Sequence, residues 1–160
     1  DELFLQGVMV RHPTNIQVLS APPDIEEADM VSRDHVARAL KLLRRRFRYL
    51  VVDTARMFTE VSIAAFEAAT RILLIADLTI PGIRAAQRSL GLLTRIDVPL
   101  DKVDLLVTEP VGKELKVEEA ARVIGRAPLL TLPRDLMAAA EAMNAGTPID
   151  ANRGSVLYST

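Results

Sequence analysis

The chain contains no cysteine and only two histidines, His12 and His35, among its 160 residues. The lack of cysteine excludes a disulfide framework and thiolate metal sites, and two histidines far apart in the sequence make no zinc cluster. Tryptophan is absent and aromatic residues make up 4% of the chain, which leaves little material for the base-stacking surfaces of single-strand nucleic-acid binders. A protein without cysteine fits a cytoplasmic location best.

A charge excess of either sign is also absent, because 20 Lys and Arg oppose 21 Asp and Glu, giving a net charge of −1 and a pI near 6.2. No global basic field attracts this chain to nucleic acid or anionic lipid, so any such contact would have to be local. Every apolar run is shorter than the ~18 residues of a membrane span. The content of 49% hydrophobic residues nevertheless suffices for a sizeable core.

Four short apolar runs alternate with helical patterns, which predicts an α/β fold with a mostly parallel sheet and helices on both faces. The runs are residues 49–52, 72–76, 103–107 and 129–132. They are continuous rather than alternating, as is typical of strands covered on both faces. A fifth and shorter run, residues 16–19, is predicted to be an edge strand or a strand near a turn.

The helical patterns have recognisable starts and stops. Apolar residues recur at helical spacing behind Ser32, and further helices are predicted at residues 59–69, 81–95, 117–124 and 134–144. The last two patterns end at glycine, which is a common helix ending. We found no internal repeat or linker, so the sequence predicts one domain or part of one.

Ligands of such sheets bind beyond the carboxyl ends of the strands, so the residues after each run are the candidates for a site. They are residues 53–56, 77–79, 108–110 and 133–135. Asp53 is the strongest of them, because Mg²⁺ requires an oxygen anion at a rigid position. An Asp at the end of a strand also caps turns, and this structural role is the alternative.

The glycine-rich loop that cradles phosphates in nucleotide-binding proteins is missing from these 160 residues. The single Gly-Lys pair, Gly112 and Lys113, is predicted to lie in a turn. A basic cluster, Lys41 to Arg48, closes the first long helix. Cations there favour the helix dipole, and contact with phosphates or anionic lipid is the alternative interpretation.

The order of these segments resembles the ParA/MinD group of deviant Walker ATPases, most closely the CpaE/TadZ type of pilus-assembly and localisation proteins. Residues 11–93, which include RYLVVDTAR and RILLIADLTIPGIRAAQRSLGLL, are similar to the part of that family from an edge strand to the strand with the Mg²⁺-linked Asp and the next strand–helix unit. LPRD and AAAEAMNAGTPI, residues 132–135 and 138–149, are similar to its final strand, Pro-x-Asp turn and helix.

The resemblance implies a MinD-like P-loop NTPase fold, of which residues 1–160 are the C-terminal portion of one ATPase domain. The family's phosphate loop lies upstream of the matched region and follows a central strand beside the Asp53 strand, so the fold is expected to be incomplete here. In the intact protein, ATP and Mg²⁺ are the implied cofactors. Asp53 is the implied catalytic and metal residue, holding Mg²⁺ through water, and Thr108, Pro133, Arg134 and Asp135 are the implied nucleotide-binding residues.

Two departures from the family leave two functions open. Thr108-Glu109-Pro110 replaces the Asn-Arg pair that recognises adenine in relatives, and Arg56 occupies a position that is glycine in many nucleotide switches. The first function is an ATP-binding protein, with weak ATPase activity when intact, that places or assembles a pilus or secretion machine. The second is a degenerate, non-hydrolysing interaction module that dimerises and recruits partners. An unrelated α/β small-molecule domain is a third interpretation, which holds if the segment order is coincidental.

The resemblance also implies partners for the intact protein. They are a second copy in a homodimer and the proteins of a pilus or secretion machine, with peripheral association at the inner membrane through those proteins. Nucleic acid is not an expected partner. Residues 1–160 alone are expected to be inactive and to bind no cofactor tightly, because the backbone cradle for phosphate is missing from them.

Overall fold

The computed structural model describes residues 2–109 and 115–149. The chain divides into two compact units, of which the first extends to Ala69 and the second begins at Thr70. Over the described ranges, no helix combines the length and the apolar character needed to cross a membrane.

The first unit is mainly helical and contains one small antiparallel sheet. Its elements are α1 (Glu2–Val8), β1 (Val10–Arg11), β2 (Gln17–Val18), α2 (Ile25–Asp29), α3 (Arg33–Arg46) and α4 (Glu60–Ala68). β1 pairs with β2 across a turn in which Asn15 has a φ of 70°, a left-handed conformation that Asn tolerates. The short strand predicted within residues 16–19 is confirmed as a strand next to a turn.

The two longer helices of this unit start at side chains that cap them. The Ser32 hydroxyl accepts a hydrogen bond from the backbone N–H of His35, whose Nδ1 accepts one from the backbone N–H of Ser32, each at 3.3 Å. Thr59 starts α4 with a similar reciprocal pair. These capping boxes satisfy backbone donors that a helix leaves unpaired. The inner face of α3 buries Leu40 and Leu43.

Two arginines of α3 hold the C-terminal part of α4. Arg33 Nη2 donates to both carboxylate oxygens of Glu67 at 2.7 Å, and Arg44 Nη1 donates to the carbonyl oxygen of Ala68 at 2.9 Å. The hydrogen bond to Glu67 and the charge of its carboxylate raise the pKa of Arg33. α3 and α4 are therefore joined by polar contacts as well as by apolar packing.

The second unit is a three-stranded parallel sheet with helices between its strands. Its elements are β3 (Ile72–Asp77), α5 (Ile80–Arg95), β4 (Val103–Thr108), α6 (Val117–Ile124), β5 (Leu130–Leu132) and α7 (Leu136–Ala145). The strand order is β3-β4-β5, and both neighbouring pairs are parallel. The predicted α/β fold class is confirmed, as are three of the four predicted apolar strands.

The core of the second unit lies around β4, the central strand. Val103, Leu105 and Val107 alternate along β4 and are 0%, 0% and 1% exposed. The helices α5 and α6 supply most of the other buried side chains, which include Ile83, Ala86, Leu90, Leu93, Ala120 and Ile124. Burial of one large aliphatic side chain contributes ~1.5–3 kcal/mol, so β4 is the strand that the packing holds most firmly.

The structure differs from the sequence prediction at residues 49–52. These residues form no strand, and Tyr49 and Val51 are 79% and 92% exposed. A strand requires a hydrogen-bonding neighbour, and no strand pairing of the described residues includes this segment. β3 does pair with β4, but its other edge is unpaired within the described sheet, and Leu73 and Ile75 are 59% and 58% exposed.

Gly82 allows α5 to begin directly above the end of β3. The Thr79 hydroxyl accepts a hydrogen bond from the backbone N–H of Gly82 at 3.1 Å, which starts the helix. A Cβ at residue 82 would collide with the backbone carbonyl oxygen of Asp77. Because a backbone atom cannot move aside as a flexible side chain does, no other residue fits here without shifting the helix start.

We therefore expect Gly82→Ala to lower the free energy of unfolding by ~1–3 kcal/mol, the usual cost of overpacking. Gly91→Ala is the matched control in the same helix, because a Cβ at residue 91 would have no atom within 4 Å. This control should gain ~0.5–1 kcal/mol from the better helix propensity of Ala. Urea unfolding followed by circular dichroism measures both variants. Equal stability of the two would contradict the close approach at Gly82.

Candidate functional site

A polar cluster lies at the carboxyl edge of the parallel sheet. The register pairs Asp77 of β3 with Thr108 of β4, and Thr108 with Leu132 of β5. Thr108 Oγ1 donates to Asp77 Oδ1 at 2.8 Å. Arg134 Nη2 lies 2.9 Å from the same carboxylate oxygen and 3.0 Å from Thr108 Oγ1. Three side chains from three successive strand ends therefore meet at one point.

Backbone groups fix Arg134 further. Its Nε donates to the carbonyl oxygen of Glu109 at 2.7 Å, and the N–H of Glu109 donates to the carbonyl oxygen of Leu132 at 2.8 Å. The guanidinium thus connects the turn after β5 to the end of β4. The side chains of Arg134 and Asp77 are 30% and 56% exposed, so the cluster remains open to a ligand.

The predicted nucleotide-binding residues fall into two groups. Thr108 and Arg134 are in direct contact. Pro133 and Asp135 flank Arg134 in the turn between β5 and α7, and both are half-buried. Asp135 Oδ1 accepts a hydrogen bond from the backbone N–H of Ala138 at 2.9 Å and is the N-cap of α7. Asp135 therefore has a structural role in addition to any role toward a ligand.

Asp53 belongs to the first unit and lies in the segment without secondary structure that follows residues 49–52. Its side chain is exposed. Within residues 2–109 and 115–149, no group of three or more His, Cys, Asp and Glu side chains could hold a metal ion. Mg²⁺ in nucleotide sites takes one or two carboxylates together with phosphate oxygens and water. Asp53 alone does not make such a site, and no chemical step is assigned to a metal here.

A second Arg–Asp pair lies at the opposite end of the same strands. Arg71, just before β3, donates from Nε to Asp104 Oδ2 at 2.8 Å and from Nη2 to Oδ1 at 2.6 Å. The Asp104 side chain is only 12% exposed. This bidentate pair joins β3 to β4 far from the carboxyl edge, so it serves as a comparison for the pair formed by Arg134.

The sequence pattern predicts that Asp77 lies at the ligand edge but gives it no role. Its role depends on the register of β3 against β4, which puts it beside Thr108. Glu109 takes part in the cluster through its backbone carbonyl oxygen, which accepts from Arg134. A sequence pattern of side chains cannot predict a backbone contact of this kind. Pro110 and the Gly112-Lys113 pair lie outside the described residues.

No protein-family model matches the sequence, and no curated protein sequence matches it. Solved structures do match. A ParA family ATPase from Chlorobium tepidum TLS has a TM-score of 0.92 and 17% identity, over 100% of this chain and 68% of its own. The cell division ATPase MinD of Pyrococcus furiosus has a TM-score of 0.79 and 16% identity, over 97% and 66%. MinD of Aquifex aeolicus has a TM-score of 0.78 and 17% identity, over 97% and 65%.

These likenesses define the class of fold, which is the α/β fold of the P-loop NTPases. Within that class, the arrangement is the one found in ParA and MinD ATPases. At 16–17% identity the likeness shows the fold alone. The chain spans about two thirds of the length of each of these neighbours.

The hydrogen bonds among Asp77, Thr108 and Arg134 should contribute to the free energy of unfolding. Thr108→Val keeps the side-chain shape but removes the hydroxyl that donates to Asp77, so the free energy of unfolding should fall by ~0.5–1.5 kcal/mol. Thr131→Val in β5 is the control, since no hydrogen bond of its side chain is seen in the described residues. Denaturant titration of both variants tests this. A loss in the control as large as in Thr108→Val would refute the assigned contact.

Proposed function

We propose that residues 1–160 are the C-terminal portion of one MinD/ParA-like ATPase domain of the CpaE/TadZ type. The intact protein binds ATP with Mg²⁺ and takes part in placing or assembling a pilus or secretion machine. The observation that carries this proposal is the cluster of Asp77, Thr108 and Arg134 at the carboxyl edge of the sheet. This is the edge where proteins with open α/β sheets bind their ligands.

The proposed nucleotide contacts use groups at the end of β4 and in the turn after β5. Thr108 offers a hydroxyl, Arg134 offers N–H donors and Pro133 offers an apolar ring surface, while Asp135 fixes the turn by capping α7. The MinD of Pyrococcus horikoshii OT3, a structural neighbour with a TM-score of 0.74 and 15% identity over 91% of this chain and 60% of its own, is complexed with Mg-ADP. That complex supports a nucleotide as the ligand class.

The phosphate-binding part is proposed to come from residues upstream of residue 1. A loop rich in glycine is needed there, because close approach of backbone N–H groups neutralises the phosphate oxygens. The strand that leads into such a loop would also give residues 49–52 the hydrogen-bonding neighbour that they lack. Asp53 would then close a paired strand, and its carboxylate could orient Mg²⁺-bound water.

A second function, a degenerate interaction module, has its own supporting observation. Asp77 and the Glu109 carbonyl already accept hydrogen bonds from Arg134, so the cluster is satisfied without a ligand. The MinD of Aquifex aeolicus forms a complex with MinC, which supports partner binding as a use of this fold. For either function we propose a cytoplasmic homodimer that contacts pilus or secretion proteins and reaches the inner membrane through them, with no nucleic acid partner.

Titration of Mg-ATP by calorimetry separates these functions. Residues 1–160 should bind weakly or not at all, and the intact protein should bind. In the intact protein, Arg134→Gln should weaken binding about tenfold or more, because it removes a charged donor. Arg71→Gln, which breaks the other Arg–Asp pair of the sheet, should leave the affinity unchanged once circular dichroism shows that it is folded.

Three results of this titration would each contradict one part of the proposal. Micromolar binding by residues 1–160 would show that no upstream loop is needed. Equal effects of Arg134→Gln and Arg71→Gln would remove the cluster from the nucleotide site. Absence of binding by the intact protein would leave the interaction module as the function.

Asp53→Asn tests the metal role. Since the Asp53 side chain is exposed, Asn should leave the melting temperature of the intact protein nearly unchanged while weakening the Mg²⁺ dependence of ATP binding. The control is Asp29→Asn, which removes another exposed carboxylate of the first unit. If Asp53 only caps a turn, Asn serves equally well, and an unchanged Mg²⁺ titration would return Asp53 to that structural role.

A further inference from the structure

Positive charge is concentrated on α3 although the chain as a whole is close to neutral. Residues 33–48 contain seven of the 20 Lys and Arg of the chain and one of its 21 Asp and Glu. Two of these seven cations have partners within the protein. Arg33 and Arg44 lie on the side of α3 that contacts α4, where they bind Glu67 and the Ala68 carbonyl.

Three other cations of α3 form one exposed face, which we call the α3 basic face: Arg38, Lys41 and Arg45. Their spacing of three and four residues places them on one side of the helix, opposite the side that buries Leu40 and Leu43. All three are exposed. In the part of the chain that the structure describes, none of them has an ion pair or a hydrogen bond through its side chain.

Helix stability does not explain the α3 basic face. The helix dipole favours cations only within the last turn, and Arg38 and Lys41 lie before it, since α3 ends at Arg46. Like charges three or four residues apart on a helix repel each other. Arg45 lies in the last turn, and Asp34 lies four residues before Arg38, a spacing that favours opposite charges. The repulsion of Lys41 by Arg38 and Arg45 is left without compensation in the helix, and an anion outside the helix would relieve it.

We propose that, in addition to the membrane contact made through partner proteins, the α3 basic face docks directly on the anionic phospholipid headgroups of a membrane surface. From Arg38 to Arg45 the helix rises about 10 Å, so the three cations lie along a line that a flat surface can contact at once.

Lipid fits this surface better than nucleic acid does. A nucleic-acid-binding domain usually carries a basic charge over the whole domain, with a pI above about 9, whereas the pI here is near 6.2. Attraction to an anionic bilayer depends on the cations within about one Debye length of the surface, ~8 Å at physiological salt. A local group of cations can therefore attract an anionic membrane even though the protein as a whole is almost neutral.

The test is flotation of the 160-residue chain with vesicles. Vesicles of phosphatidylcholine containing about one third phosphatidylglycerol are compared with vesicles of phosphatidylcholine alone, because anionic lipid supplies the attraction. The chain should float with the anionic vesicles only, and high salt should release it. The triple variant Arg38→Gln, Lys41→Gln, Arg45→Gln should lower the partition coefficient roughly 100-fold, at about fivefold per cation.

Two control variants remove the same charge elsewhere. One carries Arg11→Gln, Arg122→Gln and Arg126→Gln, which are scattered positions. The other carries Arg84→Gln, Arg88→Gln and Arg95→Gln, which share the outer face of α5, opposite its buried residues. Both should bind anionic vesicles within about threefold of the unmodified chain, and circular dichroism should show that all variants are folded.

Several outcomes overturn the proposal. These are equal flotation with neutral and anionic vesicles, unchanged binding by the α3 variant, and a loss in either control as large as in the α3 variant. A duplex DNA that competes the chain off the vesicles at equal phosphate concentration would assign the α3 basic face to nucleic acid instead.

Discussion

The parallel pairing of β3, β4 and β5 is the constraint on which the second unit depends. Val103, Leu105 and Val107 of β4 are almost fully buried, and a slip of one residue would turn all three to the other face of the sheet. Burial of each contributes ~1.5–3 kcal/mol, so the register is strongly held. The same register places Asp77 beside Thr108 at the carboxyl edge. The apolar core therefore determines the geometry of the polar cluster.

The sequence alone could not predict which apolar runs pair as strands. Residues 49–52 and 72–76 are equally apolar runs, yet only the second forms a strand, because β4 lies beside it. The apolar residues of a run indicate that it favours a β-strand, but they do not show whether a neighbouring strand is present to pair with it. Helix starts were predicted better because their signals are local. Ser32 and Thr79 each cap a backbone group three residues away.

The candidate site was predicted in part for a similar reason. Thr108 and Arg134 were identified because each follows a predicted strand directly, and the structure brings them into contact. The role of Asp77 depends on Arg134, which lies 57 residues further along the chain, and no spacing rule connects the two. Glu109 takes part through its carbonyl oxygen, which every residue possesses. Such contacts follow from the register and the turn geometry rather than from residue type.

The cluster holds Arg134 in place without making it unavailable. A ligand at this edge can use the remaining N–H groups of the guanidinium or displace Asp77 from Nη2. The Asp77 side chain is 56% exposed, and an exposed ion pair contributes only ~0–1 kcal/mol. A charge-assisted hydrogen bond to a ligand contributes ~1.5–3 kcal/mol, so an anionic ligand can replace Asp77 as the partner of Nη2. Because Nε stays bound to the Glu109 carbonyl, the guanidinium keeps its position while its partner changes.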